Sequence, residues 1–499
     1  MKKTYLRTAA LLLAALMAVP AFASCGDTAD NGGTDGTAAD TAAQTETADP
    51  NDRSRIRDNL PDDLDYSGRT FTTFVASPGD QGPFIAGVEE STGDIVEDAL
   101  MARNLAVEER LGVDLVFDVR AEVDGSNIDA EVSKLLLAGD GTHDLFVGHQ
   151  WGLTKLLAGG GIVPVEDLNH IELSQPWWWK EYMDELSLGG DTHYYYVGDF
   201  FLHALRSARV VIFNKELYAN YYDDANALYE LVLDGKWTID HMAELAKSVY
   251  IDLNNDGATD MEDQLGYISW ATYASTDGFV YGSDIEYVKR TADGGIEFQM
   301  ISEDAVTLCE KLVDFFWQPG SYTGCTSDPE LHAAFASGKS LFLGNAGLGT
   351  VEKIRDMECD FGILPSPKFD EAQTTYRTLV HDGGYIGAVN GNSANLDAAG
   401  AILEALNAET YRSVTPTYYE TALKVKYTRD DTSAQMIDMI HDTLMTNFIY
   451  AYNYALNDIG LQYRTLITNK SKDYVSQIEK TLKGAEQKLE ILAEAFSGS

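Results

Sequence analysis

Arg69-Thr70-Phe71-Thr72-Thr73-Phe74-Val75 is a β-branched and aromatic run, and the turn Ser77-Pro78-Gly79-Asp80 stops it. Val96, Leu100, Val107 and Leu111 then recur at helical spacing, Val113 to Val119 reads as a second strand, and Ile128, Val132, Leu135 and Leu136 mark a second helix. Asp144-Leu145-Phe146-Val147 is a third strand. The order is βαβαβ, which predicts an α/β fold with a mainly parallel sheet flanked by helices. In open sheets of that kind ligands sit beyond the carboxyl ends of the strands, so the loops after Val75 and Val147 are the places to look.

Towards the C-terminus the pattern repeats with new strands. Val210-Val211-Ile212-Phe213 is apolar and β-branched, and Thr238 stands where it can cap a helix whose apolar face is Met242, Leu245 and Ala246. Gly266 to Trp270, Ser340 to Gly344 and Asp360 to Pro365 read as strands of a second unit, and Tyr385 to Val389 as a return strand. From about Leu396 the pattern is mostly helical and closes with Val475, Ile478, Leu482, Leu489 and Leu492 on one face. A chain of 499 residues needs more than one core at about 100–200 residues per domain.

Towards the N-terminus, Lys2, Lys3 and Arg7 precede an apolar segment from Ala9 to Val19, too short for a stable span, and Phe22-Ala23-Ser24-Cys25 closes it. This resembles a bacterial lipobox. The resemblance implies a signal peptide over 1–24, lipidation of Cys25, and an extracytoplasmic protein anchored to the outer face of the cell membrane. Residues 25–58 then form a disordered acidic tether, rich in Thr, Ala, Asp and Gly. The whole chain carries 36 basic and 79 acidic residues, a formal charge of −43, which becomes −46 once Lys2, Lys3 and Arg7 are removed. Such a balance repels phosphate backbones and excludes nucleic acid as a partner. If Cys25 is lipidated, Cys309, Cys325 and Cys359 remain; they cannot all pair with one another and are assigned to core packing.

The sharpest local motif is Asp252-Leu253-Asn254-Asn255-Asp256-Gly257-Ala258-Thr259-Asp260-Met261-Glu262-Asp263. It sets oxygen donors at loop positions one, three, five, nine and twelve through Asp252, Asn254, Asp256, Asp260 and Asp263, with the Ala258 carbonyl at seven and Gly257 at six. Hard Ca²⁺ wants that set, and a fully ligated ion would be structural. Asp263 stands where a bidentate Glu is usual and should weaken the site. Enzyme signatures are poor: Gly338-Lys339-Ser340 lacks the earlier glycine of a phosphate loop, and neither HExxH nor GxSxG occurs. Trp151, with His149 and Gln150 beside it, lies just past the third strand, and Trp270 ends a strand of the second unit. Flat rings there can stack on sugars while neighbouring polar groups bond hydroxyls. Trp177-Trp178-Trp179 cannot all face one core, so at least one is expected to be partly exposed or in an interface.

The order of lipobox, tether, Asp144-Leu145-Phe146, Leu157 to Leu168, Phe213-Asn214-Lys215-Glu216-Leu217, Trp237-Thr238, Phe335 to Lys339 and Phe361 to Pro367 resembles extracellular solute-binding proteins of family 1. These are the sugar-type receptors of ABC importers, and the calcium-type loop is similar to an insertion in clostridial-type members. The resemblance implies a two-lobed periplasmic-binding-protein-like fold. Residues 59–213 plus about 379–425 make the first lobe, and 214–378 plus about 426–499 the second. Crossover hinge segments join the lobes near Asn214 and near His381-Asp382-Gly383-Gly384. It also implies a non-enzymatic, monomeric receptor that closes on a small solute, expected to be a sugar or oligosaccharide, and delivers it to ABC permease subunits. Trp151 and Trp270 are then the aromatic ligand-binding candidates, and Gln150, Asn345 and Asp382 the polar ones. The alternative is a secreted glycan-acting enzyme, and two permease genes alongside would favour the receptor.

Overall fold

Two five-stranded sheets organise the chain, and three neighbouring segments run between them, at Ser207-Ala208, at 378–382 and at about 444–454, the last two paired through Thr378–Leu379 and Leu444–Met445. The computed structural model describes residues 53–497 apart from 79–80, 157–159, 189–191, 223, 271–273, 292–293 and 425–430. The signal peptide, Cys25 and the tether up to residue 52 therefore lie outside the described residues, whereas 53–58, expected in the tether, are ordered: Arg53–Arg55 form a short 3-10 helix, and Asp58 accepts from Arg110 at 2.7 Å. Residues 52–499 form one compact unit that contains both sheets. No helix among the described residues is long and apolar enough to cross a membrane.

The first sheet holds β1 (Thr70–Ala76), β2 (Asp114–Arg120), β3 (Leu145–His149) and β4 (Ile162–Val163). The second holds β5 (Arg209–Asn214) and β6 (Leu265–Trp270). A hairpin follows, β7 (Val288–Arg290) with β8 (Ile296–Phe298), and then β9 (Ser321–Cys325), β10 (Ser340–Gly347) and β11 (Phe361–Pro365) complete the second sheet. Finally β12 (Thr378–Leu379) pairs in parallel with β14 (Leu444–Met445), while β13 (Tyr385–Asn390) returns to the first sheet. The orders are β2-β1-β3-β13-β4 and β11-β5-β10-β6-β9. In each sheet four strands run one way and a single strand runs against them, β13 in the first and β5 in the second. Each reversed strand is the one the chain enters from a crossover.

Local chemistry explains the register of the first sheet. Asp94 caps the helix Ile95–Leu111 by accepting from the Val96 and Glu97 N–H groups, which satisfies two of that helix's orphan donors. Buried Asp144 accepts from the Thr72 N–H at 2.6 Å and from Asn395 Nδ2 at 3.0 Å, tying β1 to the start of β3 and to the loop after β13. The helix Leu396–Glu409 packs on Ile95–Leu111, Asp431–Asp442 packs on β11, and the terminal helix Tyr474–Ser497 packs on Glu303–Trp317.

Three expectations need correction. β5 pairs within the second sheet, so the change of sheet falls before residue 209 and not after 213. Asn214 consequently sits at the far end of β5, where it donates to the Gly338 carbonyl and accepts from the Leu217 N–H; the crossover is at Ser207-Ala208. Trp177, Trp178 and Trp179 are all buried, at 0%, 4% and 6% exposure. The Trp177 and Trp178 indoles donate to the two oxygens of Glu404 at 3.0 and 2.8 Å, and Trp179 donates to Asp199 at 2.9 Å. Buried carboxylates supply the acceptors that would otherwise have to be water.

Candidate ligand-binding site between the two sheets

Strand register brings the ends of both sheets to one junction. Tyr385, the first residue of β13, pairs with His149, the last of β3; Arg209, the first of β5, pairs with Gly347, the last of β10. β6 runs parallel to β10 and so ends, at Trp270, on the same side. The crossing segments knit together there. Ala208 bridges Val380, and the His381 N–H donates to the Ser207 carbonyl at 3.1 Å. Tyr450, from the third crossing, receives the Asp382 N–H at 3.2 Å.

On the first-lobe side, Trp151 is half-buried, with its backbone N–H on the Asp382 carbonyl at 3.2 Å. Its indole lies directly on Gly125: a Cβ there would come within 2.3 Å of the ring, so only glycine fits beneath it. Tyr454, 50% exposed, lies 5.1 Å from Trp151 between ring centroids, and the Lys155 ammonium stands 5.0 Å over the Trp151 ring. The Tyr385 ring stacks on His203 at 4.0 Å and lies 5.1 Å from His149, while its hydroxyl donates to Ser77 at the end of β1, 3.0 Å away. Gln150 is set inside the wall. Its amide nitrogen donates to Thr446 at 3.2 Å and its oxygen accepts from Tyr182, so in this structure the buried side chain bonds the wall at both ends.

On the junction and second-lobe side, Asp382 is buried and meets His381 Nε2 at 3.2 Å. Burial, helped by nearby Asp277, pushes its carboxyl up to about 6 against the pull of Arg464. Arg464 forms a two-bond pair with Asp277, one bond being 2.8 Å. Burial opposes charge on Arg464, yet Asp277 raises its pKa above the ordinary guanidinium value. Burial, with Asp382 and Asp277 adding to it, raises the pKa of the Tyr454 hydroxyl, and burial lowers that of Arg209 against the same two carboxylates. Trp270 is half-buried and donates to Asp328 at 2.7 Å. Asn345 lies on β10 near the junction; its side chain lies outside what is described.

A further pair links the lobes beside the crossover. Arg206, from the helix Leu202–Arg206, donates to both oxygens of Glu352, from Thr350–Ile354, at 2.8 and 2.7 Å, and the Tyr418 hydroxyl reaches the same carboxylate at 3.1 Å.

The Asp252 to Asp263 loop folds on itself. Asp252 accepts from the Asn255 and Gly257 N–H groups at 2.6 and 3.0 Å, and Asp256 accepts from Ala258 at 2.7 Å. Asp260 accepts from Glu262 at 2.8 Å, and Asp263 from Leu253 at 3.0 Å. Gly257 takes φ 78° at the sharp turn. The oxygens suit Ca²⁺ chemically, but the Ala258 carbonyl accepts from the Tyr250 hydroxyl at 2.8 Å, and among the described residues no group of three His, Cys, Asp or Glu side chains converges as a metal site. Cys309, Cys325 and Cys359 are not joined in disulfides, and the first two are buried.

Sequence reasoning missed Tyr454, Arg464, Asp277 and Tyr385 as neighbours of the junction. The third crossing lies in a stretch with no strand or turn signature, so only the fold brings Tyr454 to Trp151.

No family profile matches the chain, and no curated protein is significantly similar to it. Solved structures are similar in fold. A cyclo/maltodextrin-binding protein complexed with maltotetraose has a TM-score of 0.57 at 13% identity, covering 84% of this chain and 97% of the other. The maltose/maltodextrin-binding domain from Bdellovibrio bacteriovorus bound to maltotriose has a TM-score of 0.53 at 16% identity, covering 84% and 100%. An ABC transporter solute-binding protein from Thermotoga lettingae bound with α-D-tagatose has a TM-score of 0.51 at 14% identity, covering 85% and 100%. The two α/β lobes and their crossovers are thus the fold shared with sugar-type solute-binding proteins.

Proposed function

We propose that this chain is an extracytoplasmic receptor that captures a small saccharide between its lobes and delivers it to an ABC permease by lobe closure. The observation that carries it is the meeting, at one junction, of strand ends from both sheets with the Trp151 and Tyr454 rings and polar Asp382, His381 and Arg464. Aromatic faces with a few convergent polar groups suit a sugar. Proteins of the same fold were solved with maltotetraose, maltotriose and α-D-tagatose, and are described as binding proteins, which favours a receptor over a glycan-acting enzyme. The receptor acts as a monomer, held at the outer membrane face by lipid on Cys25.

Thermal shift against maltotriose, maltotetraose, tagatose and a wider saccharide panel tests the ligand class. A specific ligand at 100 times its Kd adds about 2.7 kcal/mol of stability; a panel in which no saccharide moves the melting temperature contradicts the reading. Cys25→Ala should abolish lipid incorporation, and membrane retention of an unlipidated variant would overturn the anchor. Calcium is proposed as a structural ion of the Asp252 to Asp263 loop, on the chemistry of its oxygen donors.

A further inference from the structure

His149 ends β3 beside the two rings of the first-lobe wall, with Tyr385 at 5.1 Å and Trp151 at 6.2 Å between centroids. Its Nδ1 receives the Gly125 N–H at 3.2 Å. A ring nitrogen that accepts from a backbone N–H carries no proton, so the proton of the neutral ring is on Nε2. Nε2 has no hydrogen-bond partner among the described residues, and the side chain is half-buried. The same glycine whose missing Cβ admits the Trp151 ring therefore also fixes which histidine nitrogen is the donor. Burial keeps the ring neutral, lowering its pKa to about 4 against the opposing effect of Asp124, and His203 behind Tyr385 is likewise held well below its ordinary value by burial, Arg206 and His149 itself.

Three cations around this donor already hold a carboxylate: Arg464 pairs with Asp277, Arg206 with Glu352, and Lys155 with Asp129 at 3.8 Å. An anionic ligand would have to compete with these carboxylates for a cation, whereas a hydroxyl or ring oxygen needs only a neutral N–H.

We propose that His149 is the first lobe's specificity-determining hydrogen-bond donor, presenting Nε2–H beside the Trp151 and Tyr385 rings to an oxygen of an uncharged, hydroxyl-rich ligand. The inference rests on the saccharide-receptor reading and narrows it to neutral sugars over uronates. A neutral ligand oxygen gains one hydrogen bond without bringing a charge into a half-buried wall.

Two measurements decide it. In the nitrogen–proton correlation spectrum of the histidine rings of the unliganded protein at neutral pH, His149 should show a protonated Nε2 and an unprotonated Nδ1; a protonated Nδ1 overturns the proposal whatever the variants do. Calorimetric titration then compares maltotriose, maltotetraose and tagatose with trigalacturonate. The neutral probes that bind wild type should lose about tenfold in affinity in His149→Phe, which keeps a ring without a donor, and most of that loss should be restored in His149→Gln, which keeps an N–H at similar reach. Neutral binding that is equal in wild type and His149→Phe overturns the donor role while leaving the receptor reading intact. Preference for trigalacturonate overturns the neutral class alone. Binding of none of the probes contradicts the saccharide reading and this inference with it.

Discussion

His441 and Glu404 show what single residues decide here. Burial works against a charge on His441, but Asp199, 3.1 Å from Nε2, and Asp442 hold its pKa up at about 9. Arg53, Trp179, Tyr411 and Tyr419 complete its surroundings. A histidine whose folded pKa lies above the unfolded value of about 6.5 contributes stability that is full below that value and is lost as pH rises through the folded pKa. Resistance to denaturant should therefore fall between about pH 6.5 and 9. In His441→Gln the slope should flatten; an unchanged slope would show that other groups set it. Glu404 is the common acceptor of two indoles, and burial, opposed by those bonds, raises its carboxyl to about 7. Glu404→Ala leaves both buried donors unpaired, at roughly 1–3 kcal/mol each, so unfolding should cost at least about 2 kcal/mol less. Glu404→Gln, which keeps an acceptor oxygen, should lose less than the alanine variant. The tryptophan run itself was visible in the sequence; its acceptor, 227 positions from Trp177, was not, which is why burial of all three rings could not be read from adjacency.

At the scale of elements, strands with an apolar, β-branched signature were legible, and β1, β2, β3, β5, β6, β10, β11 and β13 lie where those signatures stand. β9 was not, because Ser321-Tyr322-Thr323-Gly324-Cys325 is a polar edge strand that pairs only with β6. The two-residue strands β4, β12 and β14 are too short to carry a pattern and exist through their tertiary partners. The Asp252 to Asp263 loop was legible in composition, and its turn at Gly257 has the left-handed backbone the motif needs. If calcium binds, its carboxylates exchange internal N–H bonds for the ion. Chelation should then lower the melting temperature of the protein as purified, and Asp256→Ala should abolish that sensitivity. Identical melting with and without calcium would remove the ion from the account.

At the scale of the whole molecule, two sheets with one reversed strand each meet through crossings whose rings and charges come from positions far apart in sequence. Trp151, Trp270 and Asp382 were found by position at strand ends and crossovers; Tyr454 and Arg464 were invisible because the third crossing has no sequence pattern of its own. Trp151→Ala should weaken saccharide binding about tenfold or more while leaving the melting temperature of the unliganded protein nearly unchanged, since truncated aromatic anchors typically cost on the order of 2 kcal/mol or more in binding. Closure requires that the ligand favour the closed state by its differential affinity. Solution scattering with and without a saccharide that calorimetry shows to bind is the direct test. A smaller radius of gyration in the bound protein is the expected result, and a bound saccharide that leaves the radius unchanged would contradict capture between the lobes.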